Sequence, residues 1–255
     1  MTERPILILK DVAVAHRLTA LSESIVAGEQ IHLVGLNGSG KSTLLSVIAG
    51  MLPFSGSVDL SGQNLYAYRQ YELAKQRAWL SQSASVPIMP VFQYLDMFRP
   101  GSASLEDSER VLYELCQQMK LLPLLSSSVG KLSGGEWQRV RLAGVFFQVW
   151  PELNPDGKLL LLDEPTNNLD IIQQAILDNL IDRFCSLGGA VLLSSHNLDH
   201  TYERASRVWL LLHGALLASG IPQDVMTERN LSENFEANIR HIQNTSYKLW
   251  RVSCE

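Results

Sequence analysis

Gly35-Leu36-Asn37-Gly38-Ser39-Gly40-Lys41-Ser42 satisfies G-x-x-x-x-G-K-[ST] at every fixed position. The glycines let backbone N–H groups curl around phosphate oxygens, and a helix starting here aims its positive dipole end at the same point. Lys41 is placed to reach β- and γ-phosphates, the Ser42 hydroxyl to ligate Mg²⁺, and Thr43 to support an α-phosphate. A second group follows far downstream, where Leu159-Leu160-Leu161-Leu162 delivers Asp163 and Glu164. By itself an acidic pair after an apolar run marks only a strand end. Behind a phosphate-binding loop it supplies a carboxylate for water-mediated Mg²⁺ binding, Asp163, and a general base for an attacking water, Glu164. A third group is Leu132-Ser133-Gly134-Gly135-Glu136. Ser133 reads as a helix cap, the glycines leave the helix N-terminus open to an anion, and Glu136 sits in the first turn. The chain thus holds two separate phosphate sites.

These groups need a parallel sheet to hold them. Residues 5–12, 30–34, 57–60 and 78–81 read as strands, and 30–34 runs directly into the glycine-rich loop. Ser42 to Gly50 reads as a helix, with Gly50 closing it and Pro53 just beyond. Near Val86 the character changes: a Pro- and aromatic-rich stretch precedes helices at Leu105–Leu122 and from Ser133 to about Gln148. The core resumes with short apolar runs at 159–162, 190–195 and 207–212, typical of strands covered on both faces. The expected fold class is α/β, a P-loop NTPase (RecA-like) core with a mostly parallel sheet, an N-terminal antiparallel part and an inserted helical subdomain. The expected domain is 1–225, with core 1–86 and 151–225 and helical subdomain 87–150; 226–255 is a polar C-terminal extension without a motif. No internal repeat and no second phosphate loop is visible.

The 255 residues carry a formal charge of −5, which argues against a nucleic-acid partner. Cys116, Cys185 and Cys254 are scattered with no CxxC, unlike a disulfide framework or zinc site. The start, MTERPILILK, is charged at once and shows no secretory signal. The apolar runs are far shorter than the roughly 20 residues that span a bilayer.

Taken together, the three groups resemble the ABC ATPases over nearly the whole chain to about residue 225. The resemblance implies a head-to-tail dimer of two copies, each ATP lying between one copy's phosphate loop and the other's Ser133, Gly134, Gly135 and Glu136. It implies that Gln82 senses Mg²⁺ and the γ-phosphate, so that the metal set is Ser42, Gln82 and Asp163. Asp170, in Asn168-Leu169-Asp170, corresponds to the D-loop at the dimer interface, and His196 to the switch histidine that joins Glu164 in catalysis. The ATP-binding set is then Gly35, Leu36, Asn37, Gly38, Ser39, Gly40, Lys41, Ser42, Thr43 and Gln82. His16, His32, His200, His213 and His241 read as structural or surface residues.

Members of this family commonly stack an aromatic residue on adenine. Residues 11–20 contain none, leaving His16 or Arg17 for that position, and Glu136 stands where Gln is common. The stretch GVFFQVWPELNPDGK between the signature helix and the LLLLDE strand is longer than usual. With the short N-terminal segment it resembles the ATPases of bacterial cobalamin importers, type II ABC importers; haem and iron-siderophore importers of that structural group are the alternatives. The resemblance implies two transmembrane permease subunits, an indirect link to a periplasmic substrate-binding protein, and a peripheral place on the cytoplasmic face of the inner membrane. Phe92, Tyr94 and Phe98 are the candidate docking groove, with an ordinary core role as the competing reading. A soluble ABC ATPase acting on DNA or ribosomes usually carries tandem cassettes or basic extensions, absent here. A P-loop kinase or GTPase would leave Ser133–Glu136 unexplained.

Overall fold

The computed structural model describes residues 4–244 and 247–252; Met1–Glu3 and Cys254 lie outside them. In chain order the strands are β1 (Leu7–Val14), β2 (Leu18–Ile25), β3 (Gln30–Val34), β4 (Ser55–Leu60), β5 (Gln63–Asn64), β6 (Arg77–Leu80), β7 (Leu159–Leu162), β8 (Ala190–Ser195), β9 (Arg207–Leu212), β10 (Ala215–Gly220), β11 (Ile239–Asn244) and β12 (Tyr247–Val252). The helices are α1 (Lys41–Ile48), α2 (Gln70–Gln76), α3 (Val91–Asp96), α4 (Leu105–Gln118), α5 (Gly134–Val149), α6 (Ile171–Ser186), α7 (Leu198–Arg204), α8 (Pro222–Val225) and α9 (Glu228–Phe235).

The central sheet runs β10-β9-β3-β8-β7-β6, parallel throughout except for the antiparallel edge strand β10. A second sheet, β2-β1-β4-β5, is antiparallel, so the expected α/β fold with an antiparallel N-terminal part is the one observed. Alternation of side chains along the central strands explains their continuous apolar sequence. Leu160 and Leu162 of β7 join one hydrophobic cluster with α3–α6, while Leu159 and Leu161 join another with α1 and the antiparallel sheet. Val191 and Leu193 of β8 divide from Ala190 and Leu192 in the same way. Each such fully buried leucine contributes about 1.5–3 kcal/mol, so both faces of the strands that carry the site are firmly held.

Residues 87–150 consist of α3, α4, α5 and connecting turns. α5 is buried almost all round, through Val140, Leu142, Phe146, Phe147 and Val149, and shares one cluster with β6 and β7. The long stretch after it is anchored rather than loose: the Asn154 side-chain amide donates to the carbonyls of Lys75 and Gln148 at 2.8 and 3.0 Å. Beyond residue 225, Leu231 and Ile239 also pack onto the core with Val34, Val208 and Leu210. Among the described residues no helix is long and apolar enough to cross a membrane.

Candidate functional site

Four neighbouring strands, β3, β8, β7 and β6, end in the loops that carry Gly35–Ser42, Ser194–His196, Asp163–Glu164 and Ser81–Gln82. In open parallel sheets this carboxyl edge is the ligand-binding edge. Gly35 leaves β3 with φ 155°, and a Cβ there would lie 2.3 Å from the Leu211 carbonyl oxygen, so the loop requires glycine. Lys41 is buried at the start of α1, and its ammonium donates to the Gly35 and Leu36 carbonyls at 2.8 and 3.0 Å. Burial lowers its pKa, opposed by the charges of Glu164 and Asp163. A cavity of about 400 Å³ opens here, lined by Asn37, Gly38, Gly40, Lys41, Ser42, Thr43, Gln82 and Glu164. His16, Arg17 and His213 also line it, so both candidates for the missing aromatic reach it, together with a histidine that the sequence reads as structural or surface. Ser39 turns into the protein and is buried.

Three side chains meet the Glu164 carboxylate. Its backbone sits in the left-handed region, φ 49°, a conformation that costs a non-glycine residue free energy and is concentrated at functional sites. Asn167 Nδ2 and Gln82 Nε2 donate to its Oε2 at 2.5 and 3.2 Å, and His196 Nε2 lies 2.8 Å from its Oε1. Burial pushes this carboxyl up, but hydrogen bonds from His196, Asn167 and Gln82 outweigh that and hold it below its ordinary value. It is therefore an ionised acceptor at neutral pH, and the imidazole must be the donor. Asp163 is buried, and Ser194 Oγ donates to its Oδ1 at 2.7 Å while accepting the Glu164 N–H at 2.7 Å. One hydroxyl thus orients both carboxylates. Neither Ser194 nor Asn167 was singled out by sequence; short polar residues beside a motif carry no spacing signal of their own.

Ser133, Gly134, Gly135 and Glu136 do not line this cavity. Ser133 Oγ caps α5 by accepting the Glu136 N–H at 3.3 Å, and the Glu136 carboxylate returns to the Ser133 N–H at 2.8 Å, a complete capping box. That backbone hydrogen bond, then the one from the Ser133 hydroxyl, lowers the Glu136 pKa, and the glutamate closes the same box that a glutamine would. A Cβ on Gly135 would lie 2.6 Å from the Asn168 carbonyl oxygen, so this loop rests directly on the turn that leads to Asp170. Asp170 caps α6 through the Gln173 N–H at 2.8 Å, and Ile171 and Ile172 beside it are exposed.

Two further residues join these parts. Gln138 Nε2 donates to the Pro165 carbonyl at 3.0 Å, and the buried Arg141 guanidinium donates to the Ser81 carbonyl next to Gln82. Of the three candidate docking aromatics, Tyr94 and Phe98 line a cavity of about 460 Å³ together with Tyr71, Met97 and Pro100; Phe92 is exposed but does not line it. His32 and His200 are structural: His32 is buried, and His200 Nε2 lies 3.0 Å from Asp178.

The ABC transporter family matches residues 18–167. A protein of Photorhabdus laumondii named "Vitamin B12 import ATP-binding protein BtuD" is 55% identical over 96% of both chains. Proteins of the same name from Yersinia pseudotuberculosis and Escherichia coli O157:H7 are 47% and 45% identical, covering 95% and 94% of this chain and 96% of theirs. Among solved structures, an ATP-binding subunit of an ABC transporter superposes with TM-score 0.79 at 24% identity, covering 90% of this chain and 94% of its own. The ADP conformation of an ATP-binding cassette gives 0.74 at 20% identity, over 91% and 99%. At those identities the structures share the fold.

Proposed function

Because the chain belongs to the ABC transporter family, we propose that it is the ATP-hydrolysing subunit of a type II importer that takes up cobalamin (vitamin B12) through a membrane permease. The cargo rests on the relatives' shared name, which extends over nearly the full length of both chains. The ATPase reading is carried by one observation: an ionised Glu164, held by His196, Asn167 and Gln82, on the edge of the cavity that contains Lys41.

In this reading the Gly35–Gly40 N–H groups cradle the phosphates, and Lys41 neutralises β- and γ-oxygens. Glu164 takes a proton from the attacking water. The water oxygen forms the new bond to the γ-phosphorus as the bond to the β-phosphate bridging oxygen breaks, leaving ADP and phosphate. His196 contacts the γ-phosphate as well as Glu164. The residues fit Mg²⁺: Ser42, Asp163 and Gln82 offer hard oxygen donors at one edge, and among the described residues no cluster of three or more His, Cys, Asp or Glu forms an all-protein cage. Once bound, the ion would neutralise phosphate charge. His16 or Arg17 covers the adenine.

The position of Ser133–Glu136 outside the cavity supports a second copy of the chain as partner, arranged head to tail, with Asp170 at the shared interface. The groove at Tyr94 and Phe98 suits one permease subunit per copy, two for the dimer; with such partners the chain would sit on the cytoplasmic face of the inner membrane, linked indirectly to a periplasmic binding protein. The domain is residues 1–225, with helical subdomain 87–150 and extension 226–255. Reconstitution with the permease tests the reading. Cobalamin-loaded binding protein should stimulate ATP hydrolysis; stimulation by a haem- or siderophore-loaded one instead would reassign the cargo.

A further inference from the structure

A continuous hydrogen-bonded chain runs from the start of β3 to the turn that carries His196. Gln30 Nε2 lies 3.0 Å from His32 Nε2, and His32 Nδ1 lies 3.0 Å from Thr201 Oγ1. Thr201 Oγ1 lies 2.9 Å from Ser195 Oγ, and Ser195 Oγ lies 3.4 Å from the Asn197 carbonyl and 3.3 Å from the Asn197 N–H. Gln30, His32 and Thr201 are all buried.

The end of the chain fixes its direction. The Asn197 carbonyl only accepts, so the Ser195 hydroxyl donates to it. The Thr201 hydroxyl then donates to Ser195, His32 Nδ1–H donates to Thr201, and His32 Nε2 accepts from the Gln30 amide. Every donor and acceptor along the line has one consistent role. Ser195 and Asn197 flank His196 on both sides, so this line of bonds grips the backbone of the residue whose Nε2 meets Glu164. Burial, assisted by the neighbouring His200, lowers the His32 pKa from 6.5 to about 3, in keeping with the neutral Nδ1–H form.

We propose that Gln30, His32, Thr201 and Ser195 form a positioning device for His196, holding its imidazole on Glu164 from inside the fold. The inference rests on the reading of His196 and Glu164 as partners in hydrolysis. Thr201 and Ser195 touch neither substrate nor the reacting atoms; they act through the backbone on either side of His196. Placement errors of about 1 Å in such groups cost up to about 100-fold in rate, so a role of this kind should appear in kcat rather than in nucleotide affinity.

The test is steady-state ATP hydrolysis by the purified full-length chain carrying T201V, T201S, S195A, H196A, or T201V with H196A. T201V keeps the side-chain volume and removes the hydroxyl; S195A removes the last link at a half-buried position, so it reports even where T201V fails to fold. We expect T201V and S195A to lower kcat about 10- to 100-fold with KM for ATP changed less than about twofold. T201S should recover most of the rate, and T201V should cause no further loss in the H196A background. A wild-type kcat in T201V and S195A beside a crippled H196A overturns the positioning device alone. T201S as poor as T201V, or a double variant that loses the T201V factor again, overturns it too. A wild-type rate in H196A overturns the role of His196 on which the inference stands.

Discussion

Glu164→Gln separates nucleotide binding from hydrolysis. The replacement is isosteric and removes a charge. Three donors meet the carboxylate: His196 Nε2 on Oε1, Asn167 Nδ2 and Gln82 Nε2 on Oε2. A glutamine can turn its carbonyl oxygen to Asn167 and Gln82 and its NH₂ to His196, provided the imidazole moves its proton to Nδ1. The contacts survive in weaker form, at a cost of about 1 kcal/mol, or a fall in Tm of about 2–4 °C for a chain of this size. The chemistry fares far worse. Loss of a general base removes about 10²- to 10⁴-fold in rate, which is about 3–5 kcal/mol of barrier. Lys41 and its cradle are untouched, so ATP should still bind and hold a closed dimer together. Single-turnover hydrolysis, nucleotide titration and size-exclusion chromatography with ATP check the three parts. Hydrolysis within about threefold of wild type would remove Glu164 from the role of base.

Lys41→Ala should weaken ATP binding at least about tenfold by titration, since a buried ammonium facing the phosphate cradle is lost. Gly135→Ala should lower stability by about 1–3 kcal/mol in urea melts, because its Cβ would meet the Asn168 carbonyl at 2.6 Å; Gly134→Ala should be nearly neutral to stability, its Cβ meeting only side-chain atoms from 3.6 Å. His32 gives the fold a pH dependence: its pKa falls from 6.5 to about 3 on folding, so between those values the unfolded chain binds the extra proton. Stability contributed this way is complete above about pH 6.5 and falls by up to about 1.4 kcal/mol per pH unit below it; replacing His32 with glutamine should flatten the urea midpoint between pH 7 and 5.

The chemistry-bearing segments were legible because they combine rare residue types with fixed spacing, as in Gly35–Ser42, Asp163–Glu164 and Ser133–Glu136. β7 and β8 were legible because strands covered on both faces read as unbroken apolar runs. β2 was not. Its buried residues Leu18, Leu21 and Ile25 are spaced three and four apart, a helical pattern, because a register shift between Val12 and Val14 puts an extra β2 residue between Leu18 and Leu21, while Glu23 on the shared face of Leu21 and Ile25 is only half-buried. α2 buries only Leu73, so no apolar stripe announces it. β11 and β12 alternate too weakly in a polar tail to stand out. Ser194, Asn167 and Arg141 escaped notice because their roles come from distant segments meeting in space.

Arg141 has a consequence of its own. It is the eighth residue of α5, about 10 Å along the helix from Gly134 at the usual rise, and its guanidinium is fastened to the carbonyl beside Gln82. Gln138, three residues before it, is fastened to the Pro165 carbonyl beside Glu164, and Gly135 rests on the Asn168 carbonyl. α5 is thereby clamped at three points along its first two turns and behaves as a rigid strut. A load on its Ser133 end is carried to Pro165 and Ser81 together, the neighbours of Glu164 and Gln82.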